Sequence, residues 1–101
     1  MDEPVVVEDP ASRRYRLMAG AEELGFVDYD PVGPRSILVK HTEVKPEHEG
    51  KGYGSRLVQG MLDDLRARGK DVIPICPYTL AWLKRHRDYL DVVREDARAM
   101  I

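Results

Sequence analysis

A glycine-rich segment near the middle of the chain is the strongest chemical signal in the sequence. It reads Glu49-Gly50-Lys51-Gly52-Tyr53-Gly54-Ser55-Arg56, with glycines at alternate positions. Glycine has no Cβ, so backbone N–H groups in such a segment can converge on a ligand at close range. The segment lies between a predicted strand and a predicted helix, and free N–H groups at a helix start favour phosphate. We therefore expect a phosphate or pyrophosphate site here rather than the flexible turn that an isolated glycine cluster indicates.

Two common phosphate-binding motifs do not fit the segment. A Walker loop requires Gly-x-x-x-x-Gly-Lys followed by Ser or Thr, and this pattern is missing. A dinucleotide fingerprint requires a third glycine three residues after Gly54, where the chain has Leu57. Such a fingerprint also follows the first strand of a parallel unit, whereas several antiparallel strands are predicted before this segment. Both nucleotide-binding classes are therefore disfavoured.

Three residues outside the glycine segment carry nucleophilic or acid–base chemistry. Cys76 precedes Pro77, a residue suited to the first position of a helix, and a helix N-terminus lowers the pKa of a thiol. Its thiolate could act as a nucleophile, and a small buried hydrophobic residue is the alternative. His41 and Glu43 lie at the polar end of a predicted strand, where they could serve as a base or in a water relay. A semi-buried imidazole and a solvated carboxylate are the corresponding structural alternatives.

A zinc site is not predicted. The pair His41-x-Glu43 followed by a later cysteine is part of the zinc deaminase signature, but that signature requires Pro-Cys-x-x-Cys. Cys76 is the single cysteine, and Ile75 rather than proline precedes it. One cysteine also excludes an intramolecular disulfide. We predict no metal.

The hydrophobic pattern predicts an α/β (α+β) domain of strands followed by alternating strands and helices. Residues Asp30–Pro34 form a breaker cluster that is expected to separate the third strand from the fourth. The predicted strands are Val5–Val7, Arg14–Met18, Glu23–Tyr29, Ser36–Val44, Asp71–Cys76 and Tyr89–Val93. An apolar stripe predicts the first helix, and Gly69 is expected to follow its last turn. The stripe consists of Leu57, Val58, Met61, Leu62 and Leu65.

The second predicted helix runs from Pro77 to His86. Alternation along the fourth strand predicts that His41 and Glu43 share a face with Val39, and that Thr42 lies on the other face.

Composition limits the function classes. The chain has 101 residues, 43% of them hydrophobic, which suits one small domain spanning residues 1–101. A net charge of −2 lacks the electrostatic signature of a nucleic-acid binder, and no apolar stretch approaches the length of a membrane span. The opening residues Met1–Pro4 are acidic, unlike a secretory or import signal, so we expect a cytoplasmic protein.

Taken together, the motifs resemble those of the minimal, stand-alone group within the GNAT superfamily of acyl-CoA-dependent N-acetyltransferases. Gly52-x-Gly54 matches motif A of that superfamily, although Glu49 stands where Arg or Gln is usual. The resemblance extends over Ser36–Val93. Its other matching residues are His41-Thr42-Glu43-Val44, Leu57-Val58, Cys76-Pro77-Tyr78, Trp82 and His86.

The resemblance implies a fold, a cofactor site and a reaction. The fold is a mixed, largely antiparallel twisted sheet flanked by two helices. Acetyl-CoA lies between the strand that ends at Val44 and the strand that ends at Cys76, and transfers its acetyl group to an amine. Near the thioester the resemblance places Cys76 and Glu43, with His41 beside them and Tyr78 as a general acid toward the departing thiolate. The implied cofactor-binding residues are Val44, Gly50, Lys51, Gly52, Tyr53, Gly54, Ser55 and Arg56.

Two other functions stay open at this stage. One is a CoA-binding module without turnover, in which Cys76 is structural. The other is a protein-interaction domain whose glycine segment is only a turn. The acceptor amine is a small molecule or a protein amine, and the chain is expected to be a monomer or a weak homodimer.

Overall fold

The computed structural model describes residues 2–101, which form a five-stranded sheet and two α-helices. Met1, part of the acidic start used above, lies outside the described residues. The strands are β1 (Val5–Asp9), β2 (Arg14–Ala19), β3 (Glu22–Val32), β4 (Ser36–Val44) and β5 (Asp71–Pro74). The helices are α1 (Tyr53–Ala67) and α2 (Pro77–Arg85). Short 3₁₀ helices span Pro10–Ser12, Pro46–His48, Arg87–Val92 and Glu95–Met100.

The sheet is mixed, as predicted. Its strand order is β1-β2-β3-β4-β5, with antiparallel pairs up to β4 and one parallel pair between β4 and β5. The parallel pair requires a crossover, and α1 supplies it. Within residues 2–101, no helix is long and apolar enough to cross a membrane.

Helix α1 packs across the sheet and contacts all five strands. The apolar stripe predicted from the sequence is fully buried in this contact, and Gly69 follows the helix with φ +66°. Helix α2 packs on β4, β5 and α1, where Trp82 and Leu83 are fully buried in the same core. Both predicted helices are therefore confirmed.

The alternation of side chains predicted along β4 is interrupted after Val39. Asp28 pairs with His41 and Tyr29 pairs with Val39, so Lys40 is an extra residue in β4, a β-bulge. Because side chains alternate with a period of two, one extra residue moves every later side chain to the opposite face. His41 therefore no longer shares a face with Val39.

The predicted last strand, Tyr89–Val93, was also wrong. The chain forms a 3₁₀ helix over Arg87–Val92 and touches β5 through one parallel bridge between Val72 and Val93. Tyr89 and Val92 are the buried residues of this helix, a spacing of three that suits a 3₁₀ turn.

The breaker cluster at Asp30–Pro34 begins later than predicted, since β3 continues through Pro31 to Val32. β2 pairs with β3 only as far as Asp28, so the missing N–H of Pro31 costs no bond to β2.

Candidate active site

β4 and β5 separate at the end of their parallel pairing. The carbonyl oxygen of Val39 accepts hydrogen bonds from the N–H groups of both Ile75 (3.2 Å) and Cys76 (3.1 Å), and the chain then enters α2. Beyond this point, the stretch 40–44 of β4 pairs with β3 alone. Its other edge faces a gap, and unpaired strand groups at such an edge can bind an extended ligand.

A groove of about 320 Å³ opens beside this gap. Its wall combines the end of β4, the turn that follows, the start of α1 and one side chain of α2. The lining residues are Thr42, Val44, His48, Glu49, Gly50, Gly52, Tyr53, Gly54 and Tyr78. The groove therefore joins the open edge of β4 to the glycine-rich segment.

Two glycines give the segment its shape. Gly50 and Gly52 have φ of +79° and +76°, in the left-handed region that favours glycine, and open space surrounds both positions. Gly52 is the N-cap of α1, so the free N–H groups of the first helical turn begin at the groove. A pyrophosphate fits this arrangement, because converging N–H groups and the helix dipole favour an anion.

Gly54 is needed for a different reason, which is close packing. A Cβ at this position would collide with the hydroxyl group of Tyr78. Tyr78 therefore lies against the start of α1, although 42% of its surface is exposed. The predicted acid group thus borders the groove between α1 and α2.

Three predicted cofactor residues, Lys51, Ser55 and Arg56, are not among those that line the groove. Lys51 is exposed. The Ser55 hydroxyl accepts a hydrogen bond from the indole N–H of Trp82 (2.8 Å), which joins α1 to α2. Arg56 forms an ion pair with Glu3 (2.8 Å), so its guanidinium is engaged by the N-terminal segment.

Cys76 is the N-cap of α2 and is 3% exposed. Its Sγ lies 3.6 Å from Oγ1 of Thr42, a residue of the groove wall. Burial raises the pKa of the Cys76 thiol. Hydrogen bonds from the Thr79 N–H, the Thr42 hydroxyl and the Tyr78 N–H outweigh burial, so the pKa is lowered from its ordinary value. The hydrogen bonds therefore make this thiol, which lies next to the groove, easier to ionise than an ordinary one.

His41 and Glu43 lie together on the opposite face of β4 from Thr42. Nε2 of His41 is 3.3 Å from Oε1 of Glu43, and about half of each side chain is exposed. The His41 ring also lies 6.2 Å from the ring of Phe26, centroid to centroid. An imidazole oriented by a carboxylate is suited to accept a proton from a ligand on this face.

Sequence reasoning missed Thr42, Thr79 and His48. The two threonines hold the Cys76 sulfur, and their Oγ1 atoms lie 3.5 Å apart. His48 is buried and pairs with Glu22, which is 26 positions away in the sequence. Thr79 contacts Cys76 locally, within the first turn of α2, whereas Thr42 and His48 have no local signal because their partners come from distant elements.

Among residues 2–101, the structure contains no group of three or more His, Cys, Asp or Glu side chains arranged to hold a metal ion.

Comparisons with known proteins agree with this geometry. Residues 14–92 match the model of the family described as GCN5-related N-acetyl-transferase. The fold is similar to the solution NMR structure of a "GCN5-like putative N-acetyltransferase" from Staphylococcus aureus. The TM-score is 0.67 at 21% identity, covering 88% of this chain and 86% of that one. No curated protein sequence gives a significant match. The family match spans most of the chain, which therefore belongs to the GCN5-related N-acetyltransferase family.

Proposed function

We propose that this chain binds acetyl-CoA in the groove and transfers its acetyl group to an amine. The observation that carries the proposal is the continuity of two binding features in one groove. The open edge of β4 at Val44 suits the amide groups of pantetheine, and the left-handed glycines at the start of α1 suit the pyrophosphate. Family membership supports the same cofactor and reaction.

In direct transfer, acetyl-CoA lies in the groove on the Thr42 face of β4. The amine approaches its thioester through the gap beside residues 40–44, from the opposite face that carries His41 and Glu43. The amine nitrogen attacks the acetyl carbonyl carbon, and the carbon–sulfur bond breaks. His41, oriented by Glu43, takes the proton lost by the amine, while Tyr78 donates a proton to the departing thiolate. The products are an N-acetylated amine and CoA. The position of Tyr78 supports this role, because the residue lines the groove and its hydroxyl group lies against Gly54.

A second route passes through Cys76. Its thiolate attacks the acetyl carbonyl carbon, the bond from that carbon to the CoA sulfur breaks, and CoA leaves as a thiolate that takes a proton from Tyr78. The amine then attacks the protein thioester, gives its proton to His41 as in direct transfer, and releases the Cys76 thiolate. The lowered pKa of Cys76 supports this route, whereas its 3% exposure requires the end of β5 to open. The same burial supports the alternative function, a CoA-binding module in which Cys76 is structural.

One set of experiments separates these possibilities. Acetyl-CoA at saturating concentration is expected to raise the melting temperature of the protein. Release of CoA is expected to depend on added amine, measured against a panel of small amines and peptides with free lysines or N-termini. Absence of any thermal shift would overturn acetyl-CoA binding, and binding without amine-dependent release would favour the non-catalytic module.

The role of Cys76 is tested with labelled acetyl-CoA in the absence of amine. Label retained on the wild-type chain and lost in the Cys76→Ala variant supports the covalent route. Full transfer by both Cys76→Ala and Cys76→Ser leaves direct transfer as the mechanism. The matched variants His41→Asn and Tyr78→Phe are expected to slow direct transfer without abolishing acetyl-CoA binding.

A further inference from the structure

His48 occupies an unusual position for a titratable side chain. It ends the short turn Pro46–His48, directly before the glycine segment, and it lines the groove. The residue is 6% exposed. Neither route described above uses this imidazole in a chemical step.

The His48 side chain contacts two other elements, β3 and α1. Its Nε2 lies 2.8 Å from Oε2 of Glu22, at the start of β3. Its ring meets the ring of Tyr53, the first residue of α1, edge to face with centroids 6.1 Å apart. His48 therefore ties the segment before the glycines to the β2–β3 hairpin and to the first residue of α1.

The backbone of the same turn is fixed at its beginning. The Lys45 N–H donates to the Leu24 carbonyl (2.9 Å), and the His48 N–H donates to the Lys45 carbonyl (2.8 Å). Between His48 and Gly52 the chain includes the left-handed Gly50 and the exposed Lys51. The His48 side chain is thus placed to determine how the glycine segment is held against the sheet.

The second ring nitrogen of His48 does not take part in these contacts. Nδ1 is buried and has no hydrogen-bond partner among residues 2–101. A neutral ring that donates from Nε2 to Glu22 leaves only a lone pair at Nδ1. Protonation would add an N–H group at Nδ1, and a buried donor without an acceptor is costly. Glu22 faces Nε2 and therefore supplies no acceptor for a proton at Nδ1.

We propose that His48 is a positioning residue that holds the glycine segment in its binding conformation when neutral and releases it when protonated. The groove then loses affinity for acetyl-CoA as the pH falls and the His48 ring gains a proton. This regulation rests on the proposed function, since it concerns the same groove.

The charged groups around His48 favour release of the glycine segment when the ring is protonated. Glu22 faces the ring from β3, and Lys45, Glu47 and Glu49 flank it on the turn and the segment that follows. Lys45 is itself within 3.7 Å of Glu23. The carboxylates attract a proton to the imidazole, and the buried Nδ1 cannot accommodate that proton. An opened segment satisfies both requirements, because water then reaches the ring.

The conformational part is tested without ligand by NMR between pH 5 and pH 8. In the wild-type protein, the amide signals of Gly50 and Gly52 are expected to shift with the same midpoint as the His48 ring. In His48→Leu, which fills the buried space without a titratable group, they are expected to stay constant. Glycine amides that ignore the His48 midpoint, or that titrate equally in His48→Leu, overturn the proposal.

The binding part uses calorimetry with acetyl-CoA at pH 7.5 and pH 5.5. Wild-type affinity is expected to fall about tenfold more than that of His48→Leu across this range, as expected for one unsatisfied buried donor. The 3′-phosphate of CoA also titrates here, and its contribution is common to both proteins. Equal pH dependence in the two proteins contradicts the proposal.

A second variant keeps the test decisive where His48→Leu folds poorly. Glu22→Gln changes a half-exposed side chain and removes the carboxylate that attracts the proton. Its His48 midpoint, and the glycine shifts with it, are expected to move together to lower pH. If the wild-type protein does not bind acetyl-CoA at pH 7.5, the proposed function fails, whereas the NMR titration still decides the role of His48.

Discussion

The two halves of β4 have opposite surroundings, although they belong to one strand. Residues 36–39 lie between β3 and β5, and Val39 is fully buried. Residues 40–44 have β3 on one side and the groove on the other. The bulge at Lys40 marks the boundary between the halves. The first half is paired with a strand on both sides, whereas the second has a paired strand on one side only.

This difference shows how a small domain makes a site without adding chain. Pro74 pairs with Val39 at the end of β5, and it has no N–H group with which to extend a ladder. The bulge then turns Thr42 toward the groove and His41 away from it. Two local interruptions of one sheet thus place the groove and the exposed acid–base pair on opposite faces of the same strand.

The largest expected effect comes from matched valine truncations in the two halves. Val39→Ala should destabilise the protein by about 2 kcal/mol, because two methyl groups leave a closed core. Val44→Ala should cost less than about 1 kcal/mol, since this side chain is already partly exposed. Urea denaturation measures both changes, and calorimetry with acetyl-CoA should show weakened binding only for Val44→Ala. Equal stability losses would contradict the distinction between the halves.

A pair of glycines separates strain from binding. Gly52 and Gly33 have similar positive φ values, and a Cβ at either site would meet open space. Alanine in the left-handed region costs about 1 to 2 kcal/mol, so both variants should lose similar stability. Only Gly52→Ala should also lose acetyl-CoA affinity, by about tenfold, because Gly33 lies in the β3–β4 turn. Thermal unfolding and calorimetry on the two variants check this prediction.

The surroundings of the first half of β4 also predict that the protein loses stability at alkaline pH. Tyr29 pairs with Val39, and burial together with its hydrogen bond to the Glu8 carboxylate raises the pKa of Tyr29. A pKa raised on folding gives stability that is complete below the unfolded value of about 10 and is lost above it. Tyr29→Phe should lose about 1 kcal/mol at pH 7 and decline less steeply above pH 10. Parallel stability curves for the two proteins would argue against this role.

The smallest effect is expected at the thiol. Thr42→Val removes a hydroxyl that lowers the pKa of Cys76, so that pKa should rise. The pH profile of Cys76 alkylation should then move to higher pH. Thr42→Ser keeps the hydroxyl and serves as the matched control, with a profile close to that of the wild-type protein. Superimposable profiles for Val and Ser would show that Thr42 does not act on the thiol.

Periodic features of the fold were predictable from the sequence. The apolar stripe of α1 and the start of α2 at Pro77 follow from local pattern and backbone preference, and both are correct. The 3₁₀ helix at Arg87–Val92, where the sequence predicted a strand, was not predictable, because the contacts that shape it come from α1. Arg66 forms an ion pair with Asp91 (2.7 Å), and the Tyr89 hydroxyl donates to Asp63 (2.7 Å).

The candidate site was predictable in its backbone and less so in its side chains. The glycine segment can be recognised from its residue types and spacing, and the structure places Gly50, Gly52 and Gly54 at the groove. The bulge at Lys40 has no comparable signal, since it depends on register with β3. His41 was therefore assigned to the wrong face.

The hydrogen bond from the Trp82 indole to Ser55 has a consequence for the fluorescence of the protein. Trp82 is the single tryptophan of the chain, and it joins α2 to the first turn of α1 beside the groove. Its ring also stacks on His86 at a centroid distance of 3.8 Å. Any ligand that shifts α2 relative to α1 should therefore change the intrinsic fluorescence of the unmodified protein. The molecule thus carries its own emission probe at the junction of the two helices.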